Sequence, residues 1–261
     1  MELTEQEFHR YARHLIMNEI GEEGQEKLLK SKILVVGAGG LGAPALMYLA
    51  AAGIGVLGVI DDDEVDITNL QRQIIHMTHR VGDQKVISAK DTIAAINPGV
   101  QVITYNYRLK ADNAFDLIKE YDLIIDGSDN FETRYLINDL CYFHKKPLVS
   151  AALLRFEGHL YTFRHSDSVR TACYRCVFAE APPDDLVPRC EEAGILGVIA
   201  GVMGSLQATE AIKEILGIGE SLAGRFLIYD ALETSFHTIK LPHNPNCPLC
   251  GDKPSINDVE I

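Results

Sequence analysis

The chain has 261 residues, 47% of them hydrophobic and 23% charged, which is enough to bury a sizeable core in one large domain or one and a half small ones. A formal net charge of -13 and a pI of about 5.1 set nucleic acid aside as a partner, because that class needs a basic stripe. Glu2, Glu5 and Glu7 rule out a signal peptide, and the most apolar stretch, 195–206, is too short at 12 residues to span a bilayer. Six cysteines without an export signal fit a reducing cytoplasm. The expectation is a cytoplasmic protein with no membrane partner. No low-complexity segment or internal repeat stands out.

Thr4-Glu5-Gln6-Glu7 spells a capping box, with Leu3 and Phe8 placed for a hydrophobic staple. The helix that follows is expected to bury Phe8, Tyr11, Ala12, Leu15 and Ile16, leaving His9, Arg10, Arg13 and His14 on a basic face. Residues 33–36 form an apolar, β-branched run that reads as a buried parallel strand. A glycine turn at 37–42 and a helix through Leu46, Leu49 and Ala50 come next. Residues 56–60 predict a second strand ending in Asp61-Asp62-Asp63. Residues 83–96 predict a helix stopped by Asn97-Pro98-Gly99. Strands are expected at 100–105, 123–126 and 148–151, the last two separated by a helix. This alternation implies a parallel sheet with helices on both faces.

Beyond about residue 157 the pattern changes, and 159–163, 226–229 and 235–241 read as antiparallel strands. Gly197, Gly201, Gly204 and Ala208 mark a helix whose small-residue face suits tight internal packing. Residues 182–188, with Asp184 and Asp185, read as a loop. Three segments result. They are an N-terminal helical arm (1–30), a nucleotide-binding Rossmann-like part (31–157), and a continuation carrying antiparallel strands, a crossover loop and a metal site (158–261).

Gly37-Ala38-Gly39-Gly40-Leu41-Gly42 is G-x-G-x-x-G, preceded by a strand and followed by a helix, the context that gives the motif meaning. Glycines let backbone approach phosphate, and the helix N-terminus offers free N–H groups and a positive dipole. Asp61 lies 19 residues beyond Gly42 at the end of the next strand, where a carboxylate accepts hydrogen bonds from ribose hydroxyls. The alternative is a plain strand–helix turn. Arg72, in Asn69-Leu70-Gln71-Arg72-Gln73, can grip phosphate bidentately, and Lys85 can act as a point charge. Two such cations suit a triphosphate better than a pyridine dinucleotide. Surface salt bridging is the alternative for each.

Asp129, in Asp126-Gly127-Ser128-Asp129-Asn130, is expected at the carboxyl edge of the sheet, placed to hold Mg2+ or else to cap a helix. Cys190, beside Arg189 and followed by Glu191 and Glu192, is a candidate nucleophile. Cys141, on an apolar helix face, reads as a core thiol. Cys173-Tyr174-Arg175-Cys176 and Cys247-Pro248-Leu249-Cys250 are two C-x-x-C hooks separated by 70 residues. Together they can supply four thiolates to a closed, structural Zn2+ site. Two disulfides or four buried thiols are the alternatives.

In order along the chain, these features resemble the bacterial adenylyltransferases that activate ubiquitin-like sulfur-carrier proteins, the MoeB/ThiF/HesA group. The markers run from about Leu3 to Cys250. They are Arg10-Tyr11-Ala12-Arg13, the glycine turn, Asp61-Asp62-Asp63, the Asn69–Gln73 segment, Lys85, Ser128-Asp129-Asn130, Arg155-Phe156-Glu157-Gly158 and both cysteine pairs. The resemblance implies an α/β fold with a Rossmann-like, mainly parallel sheet, antiparallel C-terminal strands and a zinc staple. It implies that ATP binds at Gly37, Gly39, Gly40 and Gly42, and that a carrier's C-terminal glycine carboxylate attacks the α-phosphate, yielding acyl-adenylate and pyrophosphate.

By the same resemblance, Asp61 and Asp63 face the ribose, Asn69, Arg72 and Lys85 hold phosphates, and Asp129 holds magnesium. Arg13 reaches into the neighbouring subunit's ATP site of a homodimer, and Cys190 matches a loop cysteine that some members use for covalent linkage to the carrier. The partners implied are a carrier ending in Gly-Gly and, since the chain ends soon after Cys250, a separate sulfur-donor protein. Molybdopterin, thiamine thiazole, cysteine and thio-tRNA synthesis stay open as pathways. Two competing readings are a non-catalytic scaffold for a ubiquitin-like partner and an NAD-dependent oxidoreductase.

Overall fold

The fold is described from a computed structural model covering residues 3–165, 170–181 and 194–258. Strands β1 (Lys32–Val36), β2 (Val56–Ile60), β3 (Gln101–Tyr105), β4 (Leu123–Asp126) and β5 (Leu148–Leu154) are parallel, and β6 (Glu157–Phe163), β7 (Arg225–Asp230) and β8 (Ser235–Lys240) continue the sheet antiparallel. The order is β3-β2-β1-β4-β5-β6-β7-β8. From β1 the chain first builds outward through β2 and β3, then returns to β4 on the other side. The carboxyl ends of β1 and β4 therefore flank a topological switch point, where open α/β sheets bind ligands.

Nine α-helices occur among the described residues: α1 (Glu5–Arg10), α2 (Ala12–Leu15), α3 (Gly21–Lys30), α4 (Gly42–Ala52), α5 (Lys85–Ile96), α6 (Ala111–Lys119), α7 (Phe131–Phe143), α8 (Tyr174–Val177) and α9 (Gly197–Leu216). Successive strand side chains point to opposite faces, so β1 feeds two cores. Ile33 and Val35 pack with Leu46, Leu49, Val86, Ile93 and Met203 of α4, α5 and α9. Leu34 and Val36 pack with Leu117, Ile118, Ile137 and Leu140 of α6 and α7. This two-sided burial is why the parallel strands are continuous apolar runs rather than alternating ones.

The N-terminal helix departs from expectation. The Thr4–Glu7 capping box forms, but the chain breaks at Tyr11 into α1 and α2. Of the five residues expected inside, only Tyr11 is buried, at 4% exposed, while Phe8 and Ile16 stand 48% and 73% exposed. Asn97 donates to the Tyr11 hydroxyl at 2.9 Å, which pins this one side chain to the domain. An amphipathic pattern says that one face is apolar and leaves open what covers it.

The small-residue face of α9 also divides. A Cβ on Gly204 would stand 2.3 Å from the Leu41 carbonyl oxygen, so α9 packs on α4 there, whereas a Cβ on Gly201 would meet nothing within 4 Å. Strand β5 extends to Leu154, past the expected end at 151, and α6 was not anticipated. No helix among the described residues is long and apolar enough to cross a membrane.

Candidate functional site

The glycine turn connects β1 to α4 at the switch point. A Cβ on Gly42 would lie 1.8 Å from the Gly37 carbonyl oxygen, and Gly37 has φ +93° with space for a Cβ closed by the Gly127 oxygen at 2.9 Å. Both positions therefore require glycine. The first turn of α4 sets its positive dipole end beside this turn, with the Ala43 N–H already donating to the Gly39 carbonyl at 2.9 Å.

Asp61 follows β2 and braces the turn from the side. Its Oδ2 accepts from the Ala38 N–H at 2.8 Å and its Oδ1 from the Asp63 N–H at 2.9 Å. Burial pushes its carboxyl above the usual range, opposed by the Lys85 charge. Lys85 opens α5 with its side chain only 6% exposed, and its Nζ meets Asp63 Oδ2 at 2.7 Å while the Asp63 side chain is 67% exposed. A buried ammonium needs an anion, and its present partner is held mostly by solvent. An incoming phosphate oxygen could replace that carboxylate at little cost.

The 69–73 segment overlies the turn. The Arg72 side chain covers Gly40, where a Cβ would lie 3.6 Å from Arg72 Cγ, and the Gln73 amide overlies Gly39. Arg72 donates to the Thr68 carbonyl at 3.2 Å, and Asn69 Nδ2 donates to Thr68 Oγ1 at 3.3 Å. Both are weak, solvent-facing bonds that a ligand can displace. Gly37, Gly39, Gly40, Gly42, Asp61, Asp63, Asn69, Arg72 and Lys85 thus gather at one edge of the sheet.

The loop after β4 closes the site on its other side. Asn130, rather than Asp129, caps α7, accepting from the Thr133 N–H at 2.9 Å, which leaves Asp129 exposed and uncommitted to capping. Beneath it lies a buried polar network that the sequence reading missed. Asp126 accepts from the Ser128 N–H and hydroxyl at 2.9 and 2.6 Å and from the Ser150 hydroxyl at 2.7 Å. Arg134 reaches the Asp126 carboxylate at 3.5 Å and the Ser128 carbonyl at 2.6 Å. Gln207, from α9, donates to the Asp126 carbonyl at 2.7 Å. The available signals were one acid ending an apolar strand and single polar residues inside apolar helices.

The four paired cysteines converge at the far end of the sheet from this edge, and none forms a disulfide. Their sulfurs stand 3.9 Å apart (Cys173–Cys176), 3.6 Å (Cys173–Cys247), 3.3 Å (Cys176–Cys250) and 3.4 Å (Cys173–Cys250). A tetrahedral zinc with bonds of about 2.3 Å holds its sulfurs about 3.8 Å apart, so the donor set fits that ion. The Asn244 and Cys250 N–H groups each point at a cysteine sulfur at 3.5 Å, an arrangement suited to thiolates. Gly251 permits the second hook, since a Cβ there would lie 2.5 Å from the Cys247 carbonyl oxygen.

Arg13 lies exposed on α2, whose main neighbours are α1 and α3. Cys190 lies outside the described residues. Cys141 is fully buried, and burial pushes its thiol well up, as expected of a core thiol.

A profile described as "ThiF family" matches residues 11–249. A Thermus thermophilus protein named "Sulfur carrier protein adenylyltransferase" is 47% identical over 99% of this chain and 96% of its own length. The "SAMP-activating enzyme E1" of Haloferax volcanii is 46% identical over 100% of this chain and 96% of its own. A Mycobacterium tuberculosis protein named "Probable adenylyltransferase/sulfurtransferase MoeZ" is 49% identical over 94% of this chain, which spans 63% of that longer protein. Among solved structures, Escherichia coli MccB with ATP matches with a TM-score of 0.76 at 20% identity, covering 95% of this chain and 82% of that one, a likeness of fold. With the profile spanning nearly the whole chain and relatives matched almost end to end, the chain belongs to the ThiF family.

Proposed function

We propose that this protein adenylates the C-terminal glycine carboxylate of a ubiquitin-like sulfur-carrier protein, consuming ATP and releasing pyrophosphate. The observation that carries this reading is the buried Lys85 ammonium, paired with the exposed Asp63 carboxylate, beside Arg72 and the glycine turn. Two cations and a helix N-terminus match the charge of a triphosphate. The names of the full-length relatives, which include a sulfur carrier adenylyltransferase, support the same reaction.

The glycine turn takes the nucleotide's phosphates, and Asp61 accepts from the ribose. Asn69, Arg72 and Lys85 hold the phosphates, with Lys85 exchanging Asp63 for a phosphate oxygen. The carrier carboxylate attacks the α-phosphorus, a P–O bond forms, and the bond to the leaving pyrophosphate breaks. Arg72 and Lys85 stabilise the charge that builds on that leaving group, since such chemistry is mostly positioning and electrostatics. Asp129 would hold magnesium, which when bound neutralises phosphate charge. Cys173, Cys176, Cys247 and Cys250 would hold zinc as a structural ion, apart from the chemistry. Arg13 serves a partner subunit's site in a homodimer. A separate protein donates the sulfur, and Cys190 acts, where it acts, after adenylation.

Exchange of labelled pyrophosphate into ATP, measured with a panel of carriers ending in Gly-Gly, tests this. One carrier should support exchange. Asp129→Ala and Arg72→Ala should each lose it by about a hundredfold or more while keeping the wild-type melting temperature. Full exchange in either variant would refute the roles assigned.

A further inference from the structure

His76 belongs to none of the motifs above, yet it touches the glycine turn. It is 4% exposed, with Nε2 placed 2.9 Å from the Ala38 carbonyl oxygen and Nδ1 2.9 Å from Ser88 Oγ. A carbonyl oxygen only accepts, so Nε2 must carry the proton. Burial, helped by the Lys85 and Arg80 charges, lowers the affinity of this ring for a second proton. In the neutral ring Nδ1 then accepts from the Ser88 hydroxyl. Ser88 lies on α5 one turn beyond Lys85, so a single side chain ties the glycine turn to the helix that carries the buried cation.

The consequence follows from peptide planarity. The Ala38 carbonyl and the Gly39 N–H belong to one trans peptide and point in opposite directions. Ala38 is wholly buried, with its N–H held by Asp61 and its carbonyl by His76. Drawing that carbonyl inward turns the Gly39 N–H outward. The backbone at Gly39 is uncrowded as well, since a Cβ built there would meet the Gln73 amide at 3.7 Å and no closer atom.

We propose that His76 is a positioning residue for the nucleotide. It locks the Ala38–Gly39 peptide so that the Gly39 N–H is presented to phosphate, and it sets the turn against Lys85. This rests on the reading of the glycine turn as a nucleoside-triphosphate site. A histidine lost from this place would leave Ala38 with a buried, unpaired carbonyl and a peptide free to rotate.

Direct ATP binding by calorimetry, without carrier, tests it on the whole protein. His76→Phe fills the space but cannot donate, whereas His76→Gln keeps an N–H within reach of the Ala38 oxygen. The dissociation constant for ATP should rise about tenfold in H76F and stay within about threefold in H76Q. A merely structural role would lower the melting temperature of both variants and leave ATP affinity alone. If H76F fails to fold, His76→Asn, too short to reach the carbonyl, takes its place against H76Q. Equal affinity in the donor-bearing and donor-lacking variants would overturn the proposal. A wild-type protein that binds no ATP would instead sink the nucleotide reading itself, and this inference with it.

Discussion

The two ends of this molecule hold their shape by different means. At the edge that carries the glycine turn, β1, β2 and β4 are buried on both faces, and the loops above them are tied by charged and polar groups drawn from distant segments. At the sulfur end, the local core among the described residues is three cysteines and Leu249, flanked by Tyr142, Phe143, Cys176 and Ile256. A region with so little apolar area to bury is stabilised by a cross-link or a metal. The first end can lose one contact and keep its core. The second depends on a single cluster.

Removing the cluster should have the largest effect. Cys247→Ser, or chelation of the purified protein, should lower the melting temperature by on the order of 10 °C. Hydrogen exchange should then show lost protection around 170–177 and 244–256, with β1 and β4 still protected. Uniform loss across both ends would mean that the molecule has no such division.

Next comes the buried network at the other end. Asp126→Ala leaves the Arg134 guanidinium buried without its carboxylate and should cost about 3 kcal/mol or more in denaturant unfolding. A change below about 1 kcal/mol would show that Arg134 needs only the Ser128 carbonyl.

The smallest effect concerns acid. His76 is held neutral with a folded pKa below its unfolded value, so the unfolded chain binds protons first as pH falls below 6.5. Its contribution is complete above that pH and is lost on acidification through the window below it. The slope of stability against pH should therefore be shallower in H76Q than in wild type, measured by urea titration between neutral pH and mild acid.

Much of the fold could be read along the chain, for reasons that differ by element. The runs at 56–60 and 123–126 coincide with β2 and β4, because a strand buried on both faces writes itself as an unbroken apolar run. The first helix departs from its pattern, because its apolar residues Phe8 and Ile16 find no cover among the described residues. Among site residues, the glycine turn is legible as a motif, and at Gly37 and Gly42 the physical reason is a left-handed backbone or a close backbone contact that excludes a larger side chain. Asp126, Arg134, Gln207 and His76 were not, since a buried polar side chain is defined by its partner rather than by its neighbours in sequence.

By itself, then, the sequence determined the alternating strands and helices, the glycine turn and the pairing of C-x-x-C hooks, all set by local periodicity, backbone freedom and ligand spacing. Tertiary structure alone decided that Asp63 pairs with Lys85, that Asn130 rather than Asp129 caps α7, and that four sulfurs 74 positions apart in pairs meet at bonding distance from one centre. Those outcomes depend on which strands lie side by side. Strand order is a property of the folded sheet, where burial of both faces outweighs any preference a short segment carries alone.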